Sequence, residues 1–222
     1  MLRRAMKRDI ASYRTRLQEG VQAKKYAARF ERGSRRRIDR REQRTARKIF
    51  AELADCMSVL DVPCGAGRFL QSLIEGGRRV LGVDASREIL IHAERHARAL
   101  NAQADFAQGD ASKLPFTGNA VDAIFCNRLL HHILKREERA VILREFHRVS
   151  RRYVIVSFFD YQAFGGLRRM IKRLKGRKPA YEGQPTLDQF TVETDKVGFV
   201  VGAIVPTGPA WVTQKYFVLE KV

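Results

Sequence analysis

Short apolar runs alternate with helix-like segments from residue 58 onward. Six runs with strand-like composition begin at Ser58, Arg79, Val121, Tyr153, Phe199 and Val212, and a seventh ends within the segment 106–111. The run at 153–159 is almost continuously apolar, which indicates burial on both faces. Apolar spacing predicts a helix at 135–149, and Thr186 with Gln189 forms a capping box for another that should end near Gly198. This alternation predicts an α/β fold.

The segment 61–67 follows the first predicted strand and is the most informative part of the chain. It has two glycines, which allow backbone conformations and close approaches that a Cβ would prevent, and 68–73 continues as a predicted helix. A strand, a glycine-rich turn and a helix suit a dinucleotide or S-adenosylmethionine. The third glycine of the dinucleotide fingerprint is replaced by Leu70. The carboxylate of Asp61 would also repel a pyrophosphate but attract a cationic amino group.

Segment 61–67 resembles motif I of the class I S-adenosylmethionine-dependent methyltransferases, with Pro63 in place of the first glycine. The strand that ends at Asp84, the loop at Asp110 and the segment after the fourth strand are also similar, in the order found in small-molecule enzymes of the quinone-biosynthesis type. The resemblance implies that Asp84 holds ribose hydroxyls, that Asp110 accepts a hydrogen bond from the adenine amine, and that the Ala111 backbone lies at the ring edge. The implied cofactor-binding residues are Asp61, Pro63, Gly65, Gly67, Asp84, Ala85, Asp110, Ala111 and Asn127.

The same resemblance implies a Rossmann-like, seven-stranded, mostly parallel sheet with helices on both faces and an antiparallel last strand. It covers residues 58–222. We therefore expect a basic, helical N-terminal arm at 1–48 and a methyltransferase domain at 49–222. Within that domain, glycines and prolines on both sides of a basic amphipathic segment predict a lid at 160–185.

Composition restricts the protein class further. A chain of 222 residues is long enough for one α/β domain with an appendage. The three cysteines lack metal-ligand spacing, and no Cys/His cluster suggests a metal site, so we expect buried thiols and a cytoplasmic protein. No apolar run approaches the roughly 20 residues that span a bilayer. The N-terminus is basic, without a signal peptide's apolar stretch.

Net charge is concentrated at the N-terminus. The total is +19, and residues 1–48 contain 18 Lys and Arg against five Asp and Glu, a net of +13. This basic surface has three interpretations. It can be a solvated face or protein-binding arm, it can lie on the anionic inner face of a membrane, or, as a second choice, it can neutralise nucleic-acid phosphates. The arginine bias suits phosphate groups of either origin.

Three side chains are candidates for a general base near the transferred methyl group. His131 and His132 follow the fourth strand, and Asp160 follows the fifth. A base is needed only where the acceptor must lose a proton, because the cofactor already activates the methyl group. The alternative roles are packing for the histidine pair and capping of a turn for Asp160.

The leading functional hypothesis is methyl transfer to an anionic small-molecule, lipid-linked or glycolipid-type acceptor, at the inner membrane surface. The first alternative is an RNA-directed methyltransferase that uses the basic arm. The second is a catalytically silent scaffold with the same fold. The chain lacks the Asn/Asp-Pro-Pro-aromatic segment after strand four that is usual in enzymes acting on exocyclic amines of bases, and its only Pro-Cys pair lies in the cofactor loop.

Overall fold

A single seven-stranded sheet forms the centre of the protein. The structure is a computed structural model that describes residues 33–160, 174, 184–210 and 212–222. Seven strands were expected, and their bounds are β1 Ser58–Asp61, β2 Arg79–Asp84, β3 Ala104–Gln108, β4 Val121–Cys126, β5 Ser150–Phe159, β6 Phe199–Pro206 and β7 Gln214–Lys221. Their order in the sheet is β3-β2-β1-β4-β5-β7-β6.

The direction of the strands confirms the predicted Rossmann-like topology. Strands β1 to β5 are parallel, whereas β7 is antiparallel to both β5 and β6. The order reverses at β1, which pairs with β2 on one side and β4 on the other. Ligands of open α/β sheets bind outside the carboxyl ends of the strands at such a switch point. This places the candidate site at Asp61 and Cys126, where β1 and β4 end.

Helices cover both faces of the sheet. They are α1 Gly33–Glu52, α2 Leu70–Leu73, α3 Arg87–Ala99, α4 Arg136–Val149 and α5 Leu187–Asp195, with a 3₁₀ turn at Leu130–His132. Helices α4 and α5 pack in one apolar core, in which Phe146 and Phe190 are fully buried; α1 and α2 pack in a second core on the other face. The predicted capping box at Thr186 and Gln189 is present, and Gly198 follows α5 with φ +92°.

Helix α1 crosses the expected boundary between residues 48 and 49. Ala46, Ile49 and Phe50 are buried in the second core, and the guanidinium of Arg78 donates to the carbonyl oxygen of Phe50 near the end of the helix. The C-terminal half of α1 is therefore an integral part of the domain. Only its N-terminal part, beginning with the exposed residues 35–38, projects from it.

Within the described ranges, no helix combines the length and the hydrophobicity that crossing a bilayer requires.

Candidate cofactor site

The cofactor loop 61–67 leaves β1 at the switch point. Gly65 and Gly67 have φ values of +55° and +75°, and a Cβ on Gly67 would lie 3.4 Å from the Cα of Ala93 on α3. The Cys64 amide donates to the carbonyl oxygen of Val83 at 2.9 Å, so the loop is held against β2. Both positions therefore favour glycine, because other residues rarely adopt a positive φ. The peptide bond before Pro63 is cis.

The helix expected at 68–73 begins two residues later, at Leu70. Residues 65–69 form a turn instead, in which the Leu70 amide donates to the carbonyl oxygen of Gly67 at 3.0 Å. Gly76 and Gly77, with φ values of +79° and +78°, follow soon after the end of α2. The carbonyl oxygen of Gly67 also lies 3.1 Å from Nδ1 of His96.

Asp61 is a buried acid at the end of β1. Its side chain is 2% exposed, and its Oδ1 has no hydrogen-bond partner among the described residues. Burial raises the pKa of this carboxyl well above its usual range, an effect that the nearby guanidinium of Arg68 partly offsets and Asp84 reinforces. A buried carboxylate oxygen without a donor is rare in folded proteins, so Asp61 is suited to a cationic ligand group.

Asp84 ends β2, as expected, and shapes the loop. Its Oδ2 accepts a hydrogen bond from the Gly65 amide and its Oδ1 accepts one from the Ser86 amide, each at 3.0 Å. Burial raises the pKa of Asp84 although these backbone hydrogen bonds oppose the shift. Each oxygen retains a second lone pair, so the side chain can still accept from hydroxyl groups of a ligand. Ala85 follows, and its carbonyl oxygen accepts from Nε2 of Gln108 at 3.0 Å.

Asp110 lies in a tight turn after β3. Its Oδ1 accepts from the backbone amide and the hydroxyl of Ser112, both at 2.8 Å. This turn fixes Asp110 and Ala111 opposite Asp84 across a pocket, because β3 lies beside β2.

An open pocket lies at the carboxyl ends of these strands. Five of the nine predicted cofactor residues line it, together with apolar side chains of the 3₁₀ turn and α4. The lining comprises Val62, Pro63, Val83, Asp84, Ala85, Gly109, Asp110, Ala111, Leu129, Ile133 and Ile142. The other four predicted residues, Asp61, Gly65, Gly67 and Asn127, lie outside this lining.

Asn127 follows β4 and is held by the last strand. Its Oδ1 accepts from the Tyr216 hydroxyl at 3.0 Å and from Nε2 of Gln214 at 3.3 Å. Burial raises the pKa of the Tyr216 hydroxyl well above its usual range, so this group remains a donor. The side chain of Asn127 thus takes part in a buried network, whereas its contact with a cofactor stays a prediction.

The three candidate bases lie at the ends of the adjacent strands β4 and β5. The ring of His131 is buried, with centroids 3.9 Å from the ring of His132 and 4.6 Å from that of Phe159. Asp160 is buried and forms an ion pair with Nζ of Lys215 at 2.8 Å. These contacts suit aromatic packing for His131 and charge pairing for Asp160. A role in proton transfer stays a prediction for all three.

Two groups of site residues escaped sequence analysis. Leu129, Ile133 and Ile142 form the apolar wall of the pocket. The sequence feature that could have indicated them is their apolar character, after β4 and on the inner face of α4. Glu42 on α1 contacts Arg68 and Arg128, which flank the site. Glu42 lies one turn before Ala46 and two turns before Ile49, so its place on the apolar face of the helix was the sequence feature that indicated burial. The predicted lid at 160–185, apart from residues 160, 174, 184 and 185, and residues 1–32 of the arm lie outside the described residues.

Comparisons with known proteins agree with the geometry. Residues 59–152 match a methyltransferase domain family. Malonyl-[acyl-carrier protein] O-methyltransferase from Hamiltonella defensa is 34% identical over 112 residues, which cover 50% of this chain and 40% of that protein. Ubiquinone biosynthesis O-methyltransferase from Azorhizobium caulinodans is 27% identical over 77 residues, 35% of this chain and 30% of that protein. The chain thus spans less than half the length of both relatives.

A solved structure extends the likeness to the whole fold. Crystalline magnesium protoporphyrin IX methyltransferase from Synechocystis PCC 6803, with bound SAH, superposes with a TM-score of 0.77 at 19% identity over 96% of this chain and 100% of that chain. At this identity the comparison concerns the fold. Together with the family match and the loops at Asp61, Asp84 and Asp110, it confirms that the chain carries a class I S-adenosylmethionine-dependent methyltransferase domain.

Proposed function

We propose that the protein is an active methyltransferase that binds S-adenosylmethionine at the carboxyl ends of β1 to β4 and methylates an anionic small-molecule acceptor. The observation that carries this proposal is the pocket lined by Asp84, Ala85, Asp110 and Ala111, next to the buried Asp61, whose Oδ1 has no hydrogen-bond partner in the described part of the chain. A dinucleotide would bring a pyrophosphate to this acidic loop, which argues for the cationic cofactor.

The residues of the site fit that cofactor group by group. Asp61 would pair with its ammonium group, and Asp84 would accept hydrogen bonds from the ribose hydroxyls. Asp110 would accept from the exocyclic amine of adenine, and the Ala111 backbone would lie at the ring edge. Leu129 and Ile133 supply an apolar wall that excludes water from the base.

The chemistry requires little of the protein beyond orientation and desolvation. S-adenosylmethionine, when bound, supplies a methyl group that its sulfonium charge activates for in-line displacement. The chain contributes by fixing the geometry of the reactants and by removing water from them. Where the acceptor is a hydroxyl or amine, His131, His132 or Asp160 would take its proton.

Calorimetry with S-adenosylmethionine tests the cofactor assignment. We expect binding by the wild-type chain and a loss of about tenfold to 100-fold in Asp84→Asn, because hydrogen bonds to a charged group contribute about 1.5–3 kcal/mol. Asp105→Asn, an exposed acid on the neighbouring β3, is the control and should bind as wild type. A wild-type chain that does not bind would favour the silent-scaffold alternative.

The proposal of an anionic acceptor rests on the charge around the carboxyl end of the sheet. Arg68, Arg128 and Lys215 lie there with side chains that are 19%, 25% and 22% exposed, each in an ion pair with a carboxylate of the domain. One of the two relatives named above is a ubiquinone biosynthesis O-methyltransferase, which supports a small-molecule acceptor, whereas the other is named for a malonyl group on an acyl-carrier protein. Cationic groups at the mouth of a cleft raise the local concentration of an anionic substrate.

A cationic ridge on α1 supports a location at the inner face of an anionic membrane. Arg36, Arg40, Arg44 and Lys48 recur every four residues, all are exposed, and none has an ion pair with a described residue. The ridge is about 18 Å long, from the rise of a helix. Because the apolar face of α1 packs on the sheet, the ridge would contact headgroups through charge rather than by insertion.

Co-sedimentation with phosphatidylcholine vesicles, with and without phosphatidylserine, tests the membrane proposal. Changing all four ridge residues to Gln should lower binding by about 100- to 1000-fold, at about 1 kcal/mol per cation. The control changes four exposed arginines on α3 and α4 to Gln: Arg87, Arg95, Arg136 and Arg144.

The acceptor class is tested with radiolabelled S-adenosylmethionine and separated lipid, small-molecule and RNA fractions of the source cells. We expect label in the lipid or small-molecule fraction. Label in RNA alone, with RNA affinity that falls steeply with salt, would establish the RNA-directed alternative instead.

A further inference from the structure

A buried carboxylate on α1 joins the two loops that meet at the switch point. Glu42 is 0% exposed. Its Oε2 lies 2.7 Å from Nη1 of Arg68, directly after the cofactor loop, and its Oε1 lies 2.6 Å from Nη2 of Arg128, after β4. Glu42, Arg68 and Arg128 form the Glu42 cluster. A carboxylate at this depth is stable only where its charge is paired, and here two guanidiniums pair with it.

The contacts of α1 with Arg68 involve both side chain and backbone. Asp39, one turn before Glu42, accepts from Nη1 of Arg68 at 2.5 Å, and Nε2 of Gln43 donates to the Arg68 carbonyl oxygen at 2.6 Å. The Ser72 hydroxyl of α2 donates to Gln43. Helix α1 therefore determines where the chain goes as it leaves the cofactor loop.

Arg128 transmits the same constraint to β4 and β7. It has φ +61°, and its amide donates to Oγ of Ser157 at 2.6 Å. Its Nη2 donates to Oε1 of Gln214 at 3.3 Å, and Gln214 in turn donates to Asn127. A non-glycine residue in the left-handed region costs free energy that its surroundings must offset. The ion pair with Glu42 is one such contact.

The Glu42 cluster also keeps Asp61 available to a ligand. The Arg68 guanidinium is near enough to act on the Asp61 carboxyl. Without Glu42, this guanidinium would lose a buried partner, and Asp61 is a nearby buried carboxyl whose Oδ1 has no hydrogen-bond partner among the described residues. A new ion pair between Arg68 and Asp61 would then compete with the ammonium group of a ligand.

We infer that Glu42 is a positioning residue for the cofactor site: it holds Arg68 and Arg128 so that the loops after β1 and β4 keep their shape and Asp61 remains available to a cation. This inference rests on the proposed function for the identity of the ligand. The preorganisation of the loops is a property of the free chain and can be measured without the ligand.

The test uses amide hydrogen exchange of the free, full-length protein. Glu42→Gln keeps the size of the side chain and removes its charge. We expect amides at 62–68 and 127–130 to exchange at least tenfold faster relative to amides of β5 in the same sample. The control is Ile49→Ala, which destabilises the same helix by a cavity two turns away and should accelerate these loops no more than β5.

S-adenosylmethionine affinity is measured on the same samples by calorimetry, at a temperature where all variants are folded. Glu42→Gln should raise the dissociation constant at least tenfold, whereas Ile49→Ala should change it less than twofold. Loops that exchange at the wild-type rate in Glu42→Gln, or equally fast in both variants, would refute the inference. A wild-type chain that does not bind the cofactor refutes the proposed function, while the exchange result still decides whether Glu42 orders the loops.

Discussion

Arg139 and Glu193 form a buried, two-pronged ion pair between α4 and α5. Nε of Arg139 lies 2.8 Å from Oε2 of Glu193, and Nη2 lies 2.6 Å from Oε1. The remaining Nη1 donates to the carbonyl oxygens of Ile133 and Leu134 at 2.9 and 2.7 Å. Because Ile133 lines the pocket, this pair links the packing of two helices to the shape of the proposed cofactor site.

We predict that Arg139→Met destabilises the protein by about 3–5 kcal/mol, because it leaves the Glu193 carboxylate buried without its partner. The double variant Arg139→Met/Glu193→Leu should recover most of this loss in urea unfolding, since no buried charge remains. It should still bind S-adenosylmethionine more weakly than wild type, because the carbonyl oxygens of Ile133 and Leu134 lose their donor. A double variant with wild-type affinity would show that the pair stabilises the fold only.

Asp61→Asn should stabilise the free protein while it weakens cofactor binding. At a pH where Asp61 is ionised, an amide removes the cost of a buried carboxylate whose Oδ1 has no donor among the described residues, on the order of 1–3 kcal/mol. The same change removes the charge that would pair with the ammonium group, so affinity should fall by about tenfold to 100-fold. Thermal unfolding and calorimetry measure the two effects. A destabilised variant with unchanged affinity would contradict both.

The raised pKa of Asp61 predicts that cofactor binding depends on pH. In the free chain, burial favours the protonated form, whereas a bound ammonium group would favour the carboxylate and lower its pKa. Binding should therefore release a proton at pH values between the two pKa values, and affinity should rise with pH across that window. Stability of the free chain should show the opposite slope, because between the unfolded and folded pKa values the folded state holds more protons than the unfolded state.

Calorimetry in two buffers with different ionisation enthalpies detects this proton. Wild-type binding heats should differ between the buffers within the window, and Asp61→Asn, which has no such proton to lose, should give equal heats. A buffer difference of equal size in Asp61→Asn would assign the proton to another group.

Gly67→Ala and Gly77→Ala separate backbone strain from damage to the site. Both glycines have φ between +75° and +78°, so each alanine should cost about 1–2 kcal/mol of stability. A Cβ on Gly67 would be in van der Waals contact with α3 at 3.4 Å, whereas one on Gly77 has no atom within 4 Å. We therefore expect equal losses in urea unfolding and a loss of cofactor affinity in Gly67→Ala alone. If Gly67→Ala bound S-adenosylmethionine with wild-type affinity, the assignment of loop 61–67 to the cofactor site would be refuted.

The elements around the cofactor loop could be predicted because their signals are local. Asp61 and Asp84 each close a short apolar run, and such runs are buried strands in a parallel sheet. The capping box at Thr186 and Gln189 is equally local and is present in the structure. The start of α2 at Leu70 instead of residue 68 could not be predicted, because it follows a turn in which Gly65 and Gly67 have positive φ values, which sequence does not specify for glycine.

The contacts of Glu42 could not be predicted because they are not local. Its partners Arg68 and Arg128 lie 26 and 86 positions away, and charge counting assigned Glu42 to a basic arm. Position on the apolar face of α1 was the available signal, since Glu42 precedes Ala46 by one turn. Asn127 was found from its segment, but its partners Gln214 and Tyr216 became visible only in the sheet.

Strand β7 lies between β5 and β6, although it is the last of the three in the chain. Among the described strands, β6 pairs with β7 alone, so it joins the sheet only when residues 214–221 are in place. Strand β7 also supplies the donors that hold Asn127 at the end of β4. During synthesis, the first five strands can therefore assemble early, whereas Asn127 gains these donors only when β7 inserts, a step that its long sequence separation makes slow.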